Sequence, residues 1–115
     1  MAGIRESQAT LTLEYQAEPA VVAAACQDAL NKVGRVRAVE RQTGVIAGKI
    51  EDGWFHNGAD VTMQIRPKNG GTEVLIQGTS GEAVLGGGSA QKSLAKLIDA
   101  LASDSRLSGR SSLGW

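Results

Sequence analysis

His56 is the single histidine of the chain, and it stands between two acids in Asp52-Gly53-Trp54-Phe55-His56-Asn57-Gly58-Ala59-Asp60. Histidine moves protons near neutral pH, and Asp52 or Asp60 could orient its ring. Nucleophilic catalysis needs more, a serine or cysteine held beside that base. No motif places one there. Cys26, the only cysteine, falls on the apolar stripe of a predicted helix, where it behaves as a small inert hydrophobe. A metal centre needs three or four ligands, and one histidine with scattered carboxylates has no ligand spacing. The residues therefore predict no catalytic centre, no metal and no cofactor, in a chain that is not an enzyme.

A second stretch, Gly86-Gly87-Gly88-Ser89-Ala90-Gln91-Lys92-Ser93, has the outline of a phosphate loop. A P-loop needs glycine just before its lysine so that backbone amides wrap the phosphates, and Gln91 stands there instead. The plainer reading is a connector that enters a helix with Ser89 as N-cap. What survives is a simple anion site at Gly87, Gly88 and Ser89, since a helix N-terminus offers free N–H groups.

Trp54 and Phe55 are two of only four aromatic residues, and they sit beside His56 in a loop bounded by Gly53 and Gly58. Either they fold back over an edge of the core or they form, with His56, a contact surface for a partner. Arg35, Arg37 and Arg41 recur along one predicted strand and could meet Arg66. Such a row is ordinarily a solvated face, and no aromatic platform for bases accompanies it.

The elements that must position these residues follow from periodicity. Residues 9–16 alternate, with Leu11, Leu13 and Tyr15 on one side and Thr10, Thr12 and Glu14 on the other, which predicts a half-buried strand. Pro19 suits a first helical turn, and Val22, Cys26, Ala29, Leu30 and Val33 follow at helical spacing up to Gly34, which predicts a helix over 19–33. Strands are predicted over 35–41 and 45–50, with a bulge where the apolar phase shifts between Ala38 and Val39. Val61, Met63 and Ile65 alternate up to Pro67, Asn69-Gly70-Gly71 makes a hairpin turn, and Val74 and Ile76 mark the return strand. A glycine-rich link over 78–88 leads to a helix over 89–102 carrying Leu94, Leu97, Ile98 and Leu101.

The predicted fold is α+β in the order β-α-β-β-β-β-α, an antiparallel sheet of about five strands with both helices on one face. Thr12, Glu14, Thr62, Gln64, Arg66, Glu73 and Gln77 belong to the other, solvated face. Residues 1–102 form one domain, and the Ser- and Gly-rich stretch 103–115 reads as a flexible tail.

Composition bounds the function. The 115 residues are 42% hydrophobic, enough for one core, and twelve basic residues balance twelve acidic ones. Zero net charge gives no pull toward nucleic acid or an anionic membrane. The start, Met1-Ala2-Gly3-Ile4-Arg5-Glu6, has no apolar run, and no stretch approaches the length of a membrane span. With a single cysteine, the expectation is a chain in a reducing compartment such as the cytoplasm.

Several short matches extend this reading. They are Ala24 with Ala29-Leu30, the Val33-Gly34 helix end, Gly44-Val45-Ile46-Ala47-Gly48, and Gly71-Thr72-Glu73-Val74-Leu75-Ile76 followed by Gly78 and Gly81. With Ser93, Leu97, Ile98 and Leu101 they resemble small bacterial lipoprotein-like domains of unknown function, family 3568 in the domain-of-unknown-function series. The likeness spans residues 10–102. It implies a helix-and-sheet fold and no established activity. The lipoprotein signal and lipidated cysteine of that family have no counterpart here, so membrane anchoring does not carry over. The function expected is a non-enzymatic binding or accessory module, its partner another protein or a second copy of the chain. The alternative is a small-ligand or anion-binding domain using the glycine-rich loop.

Overall fold

The computed structural model describes residues 6–51, 59–81 and 89–107. The elements run β1 (Glu6–Tyr15), α1 (Pro19–Val33), β2 (Gly34–Glu40), β3 (Val45–Ile50), β4 (Ala59–Lys68), β5 (Gly71–Gly81) and α2 (Ser89–Ala102). All five strands join one antiparallel sheet in the order β1-β5-β4-β3-β2. The fold class, element order and helix bounds agree with the periodicity.

The sheet is a meander from β2 to β5, closed on its far side by β1. Asn69 and Gly70, at φ 46° and 84°, make the two-residue turn between β4 and β5. Their positive φ matches the twist of the flanking strands. β4 runs through Pro67 to Lys68, one residue beyond the expected stop. Its last partner on β3 is Gln64, so at Pro67 the strand is paired on one side only, a position that tolerates proline. The bulge in β2 falls between Val36 and Ala38, earlier than the Ala38–Val39 phase shift suggests.

α1 begins with Pro19 at its first turn and ends where the Gly34 N–H donates to the Leu30 carbonyl. The same glycine opens β2 opposite Ile50, so helix and strand meet without a connecting loop. The alternating apolar residues of β3, β4 and β5 (Ile46, Ile50, Val61, Met63, Ile65, Val74 and Ile76) face Val22, Cys26 and Leu30 of α1 and Leu94, Leu97 and Leu101 of α2 in one core. Thr72 is the polar exception on the sheet, buried with its hydroxyl donating to the Ala17 carbonyl at 2.7 Å. On the other face Lys68 pairs with Glu14 and Glu73, and Arg66 with Glu73. These are exposed pairs of small energetic weight.

Two expectations need correction. β5 does not end near Gln77 but continues to Gly81. Gly78 is part of the ladder, and a Cβ there would lie 3.1 Å from Leu94 Cδ2, so the missing side chain is the seat of α2. Nor does the packed chain stop at 102. Leu107 is buried, and the Arg106 guanidinium donates to Asp28 of α1 at 2.6 Å and to Asp104 at 2.7 Å. The hydrogen bonds from Arg106 hold the Asp104 carboxyl below the usual carboxylate range.

Cys26 is wholly buried, and burial, followed by the Asp104 carboxylate, pushes its thiol up to about 12. Burial, then Cys26, pushes the Tyr15 phenol up to about 12 as well. Both groups keep their protons in the folded chain past the pH at which the unfolded chain releases them. Their contribution is therefore whole below the ordinary thiol value of 9.0 and is lost as pH rises from there toward about 12. For Cys26 each pH unit in that window costs about 1.4 kcal/mol. Denaturant midpoints between pH 7 and 11 are expected to be level and then fall, and Cys26→Ala is expected to flatten the decline. Thiol labelling of the native protein at pH 7, as fast as in denaturant, would contradict this placement.

Candidate functional site

The helix α1 carries two stripes. Val22, Cys26 and Leu30 enter the core. Ala20, Ala23, Ala24 and Gln27 lie beside them at i, i+3, i+4 and i+7, a helical face built from small side chains. This face looks toward the hairpin that joins β2 to β3, and alanines cannot reach across. A groove of about 760 Å³ is left between them. Its size falls within the range of small-molecule sites.

The groove is apolar at its base and polar at its rim. Ile46 of β3 and Ile65 of β4, both buried, form the floor, and Pro19 and the three alanines form one wall. The opposite wall contains Val39, which at 39% exposure is the exposed large hydrophobic among the described residues. Around the rim stand Gln27, Glu40, Arg41, Gln42 and Thr43, and β4 closes the end of the groove at 64–67.

The hairpin tip that forms this wall is fastened to the sheet. The Gly44 N–H donates to the Glu40 carbonyl at 2.9 Å, and the Ile65 N–H donates to the Gly44 carbonyl at 2.8 Å. The Thr43 hydroxyl donates to the Glu40 carboxylate at 3.0 Å, which settles one acid of the rim. Arg66 is paired with Glu73. Among the described residues Arg41 has no carboxylate partner.

Trp54, Phe55, His56, Gly87 and Gly88 lie outside the described residues, and Ser89 is the first residue of α2. The arginine row divides. Arg35 pairs with Glu51 at 3.2 Å, Arg41 stands at the rim of the groove, and Arg66 is turned to the other face of the sheet, toward Glu73. Among the described residues no three His, Cys, Asp or Glu side chains gather as a metal site, and no helix is long and apolar enough to cross a membrane.

No family model matches the chain, and no curated protein matches it. Among solved structures it is similar to the crystal structure of Ara h 8.0201, with a TM-score of 0.63 at 11% identity, covering 84% of this chain and 95% of that one. It also aligns with the solution structure of the KanY protein, at a TM-score of 0.42 and 17% identity, over 87% of this chain and 93% of the other. The first likeness is one of fold, a helix-backed antiparallel α+β sheet.

Proposed function

We propose that this chain is a binding domain, and that its site is the groove between α1 and the β2–β3 hairpin. The ligand class that fits is a small, mostly apolar molecule bearing one acid group. The observation that carries this reading is the groove's make-up, an apolar floor and an exposed valine wall beneath a guanidinium with no carboxylate partner among the described residues. Binding buries Val39 and the alanine face, and the acid end meets Arg41 in a charge-assisted hydrogen bond. No covalent step is involved.

The test uses two fluorescent naphthalene probes of similar shape, one sulfonated (8-anilinonaphthalene-1-sulfonate) and one neutral (N-phenyl-1-naphthylamine). The parent is expected to bind the sulfonated probe saturably at one site. Ala23→Trp, which fills the groove from a half-buried position on α1, is expected to abolish binding of both probes with the circular dichroism spectrum unchanged. Arg41→Gln is expected to weaken the sulfonated probe by about tenfold, the scale of one hydrogen bond to a charged group, and to spare the neutral one. Undiminished binding to Ala23→Trp would move the site elsewhere.

A further inference from the structure

We infer that the outer edge of β1 is a self-association surface, pairing antiparallel with β1 of a second copy about a two-fold axis at Leu11. β1 is one edge of the sheet and β2 the other. The two edges are built differently. β2 is interrupted by its bulge and carries Arg35, Arg37 and Glu40 along seven residues, devices that discourage pairing. β1 pairs without interruption with β5 over ten residues and has no proline, lysine or arginine. Its exposed acid, Glu14, is paired with Lys68, and the strand presents an uninterrupted row of backbone donors and acceptors.

The apolar layer beneath the sheet is also unfinished at this edge. Val74 and Ile76 on the neighbouring strand are fully buried, whereas Ala9, Leu11, Leu13 and Tyr15 on β1 are only partly so. A further strand beside β1 would extend the layer over them.

The side chains of β1 select a second copy as that strand. In an antiparallel pair directly opposed residues share a face. With Leu11 on the axis, Leu11 meets its own counterpart and Ala9 meets Leu13 on the core side. On the solvent side Thr10 meets Thr12 and Gln8 meets Glu14. Thr10, Thr12, Gln8 and Glu14 are all exposed in the single chain. Each of these four opposed pairs is then apolar with apolar or hydrogen-bonding with hydrogen-bonding. A net charge of zero leaves no general repulsion between copies. The result is one ten-stranded sheet with the two grooves at its opposite ends.

Sedimentation and light scattering of the parent, up to several hundred micromolar (on the order of what a single strand pair requires), are expected to give a species of twice the 11.9 kDa chain. Thr10→Lys with Thr12→Lys sets lysine against lysine across the axis and is expected to raise the dissociation constant on the order of tenfold. Thr10→Glu with Thr12→Glu should do the same, and an equal mixture of the two variants should form the heterodimer. Under mild oxidation Leu11→Cys is expected to cross-link through its own counterpart, since Cα atoms of opposed residues lie within disulfide reach, and Leu13→Cys is not. A monomeric parent, a lysine variant as dimeric as the parent, or Leu13→Cys cross-linking as readily as Leu11→Cys each overturns the proposal.

Discussion

Leu97→Ala and Leu30→Ala are each expected to cost about 2–5 kcal/mol of stability, the span found for truncation of buried leucine. Both side chains are fully buried, one from each helix, in the single core that the helices share with β3, β4 and β5. Against a total stability of about 5–15 kcal/mol, either change removes a large share. Chemical denaturation followed by circular dichroism reads it directly. Leu30 should stand at the upper end, because Gly48 beneath it has no side chain with which to fill the space. A variant melting with the parent would mean that its helix does not present this face to the sheet.

Gly48→Ala is the second large effect, expected at about 1–3 kcal/mol and at the upper end of that range for overpacking. A Cβ at this position would land on the carbonyl oxygen of Arg35, 2.7 Å from Leu30 Cδ2 and 3.1 Å from the Val36 Cα. The leucine can turn aside, but the backbone of β2 cannot move without breaking its pairing with β3. Leu30→Ala should therefore fail to rescue Gly48→Ala. A double-mutant cycle with near-zero coupling supports the backbone as the obstacle, and full rescue would assign the clash to the leucine alone. Because β2 is also the wall that carries Val39, Gly48→Ala should weaken probe binding in molecules that still fold.

The main elements were legible because their signals are local. The helix over 19–33, the strand over 45–50 and the helix over 89–102 have bounds that coincide with the structure. Asn69-Gly70 announced its turn because positive φ has few residues to choose from. Gly78 misled for a related reason, since glycine signals both a flexible link and a close approach, and only the position of Leu94 distinguishes them. Leu107 was hidden by its Ser- and Gly-rich neighbours. The groove was hardest to foresee, because it is absent volume. Ala20, Ala23 and Ala24 carry no chemistry of their own to draw notice, although their spacing with Gln27 forms a full stripe that nothing large fills. The wall opposite lies more than ten residues further on, and Ile65 of the floor comes from a third element. Only the folded sheet brings them together.

The ladder between β1 and β5 also orders events in time. The Thr72 hydroxyl reaches a carbonyl 55 residues earlier in the chain, and the strands on either side of that bond are paired to their ends. The strands of the meander from β2 to β5 pair with their neighbours in sequence, but β1 gains nothing from it until β5 exists. Closing so long a loop before any reward slows folding. During synthesis β1 is made well before the strand that pairs with it, so for that interval both of its edges are open.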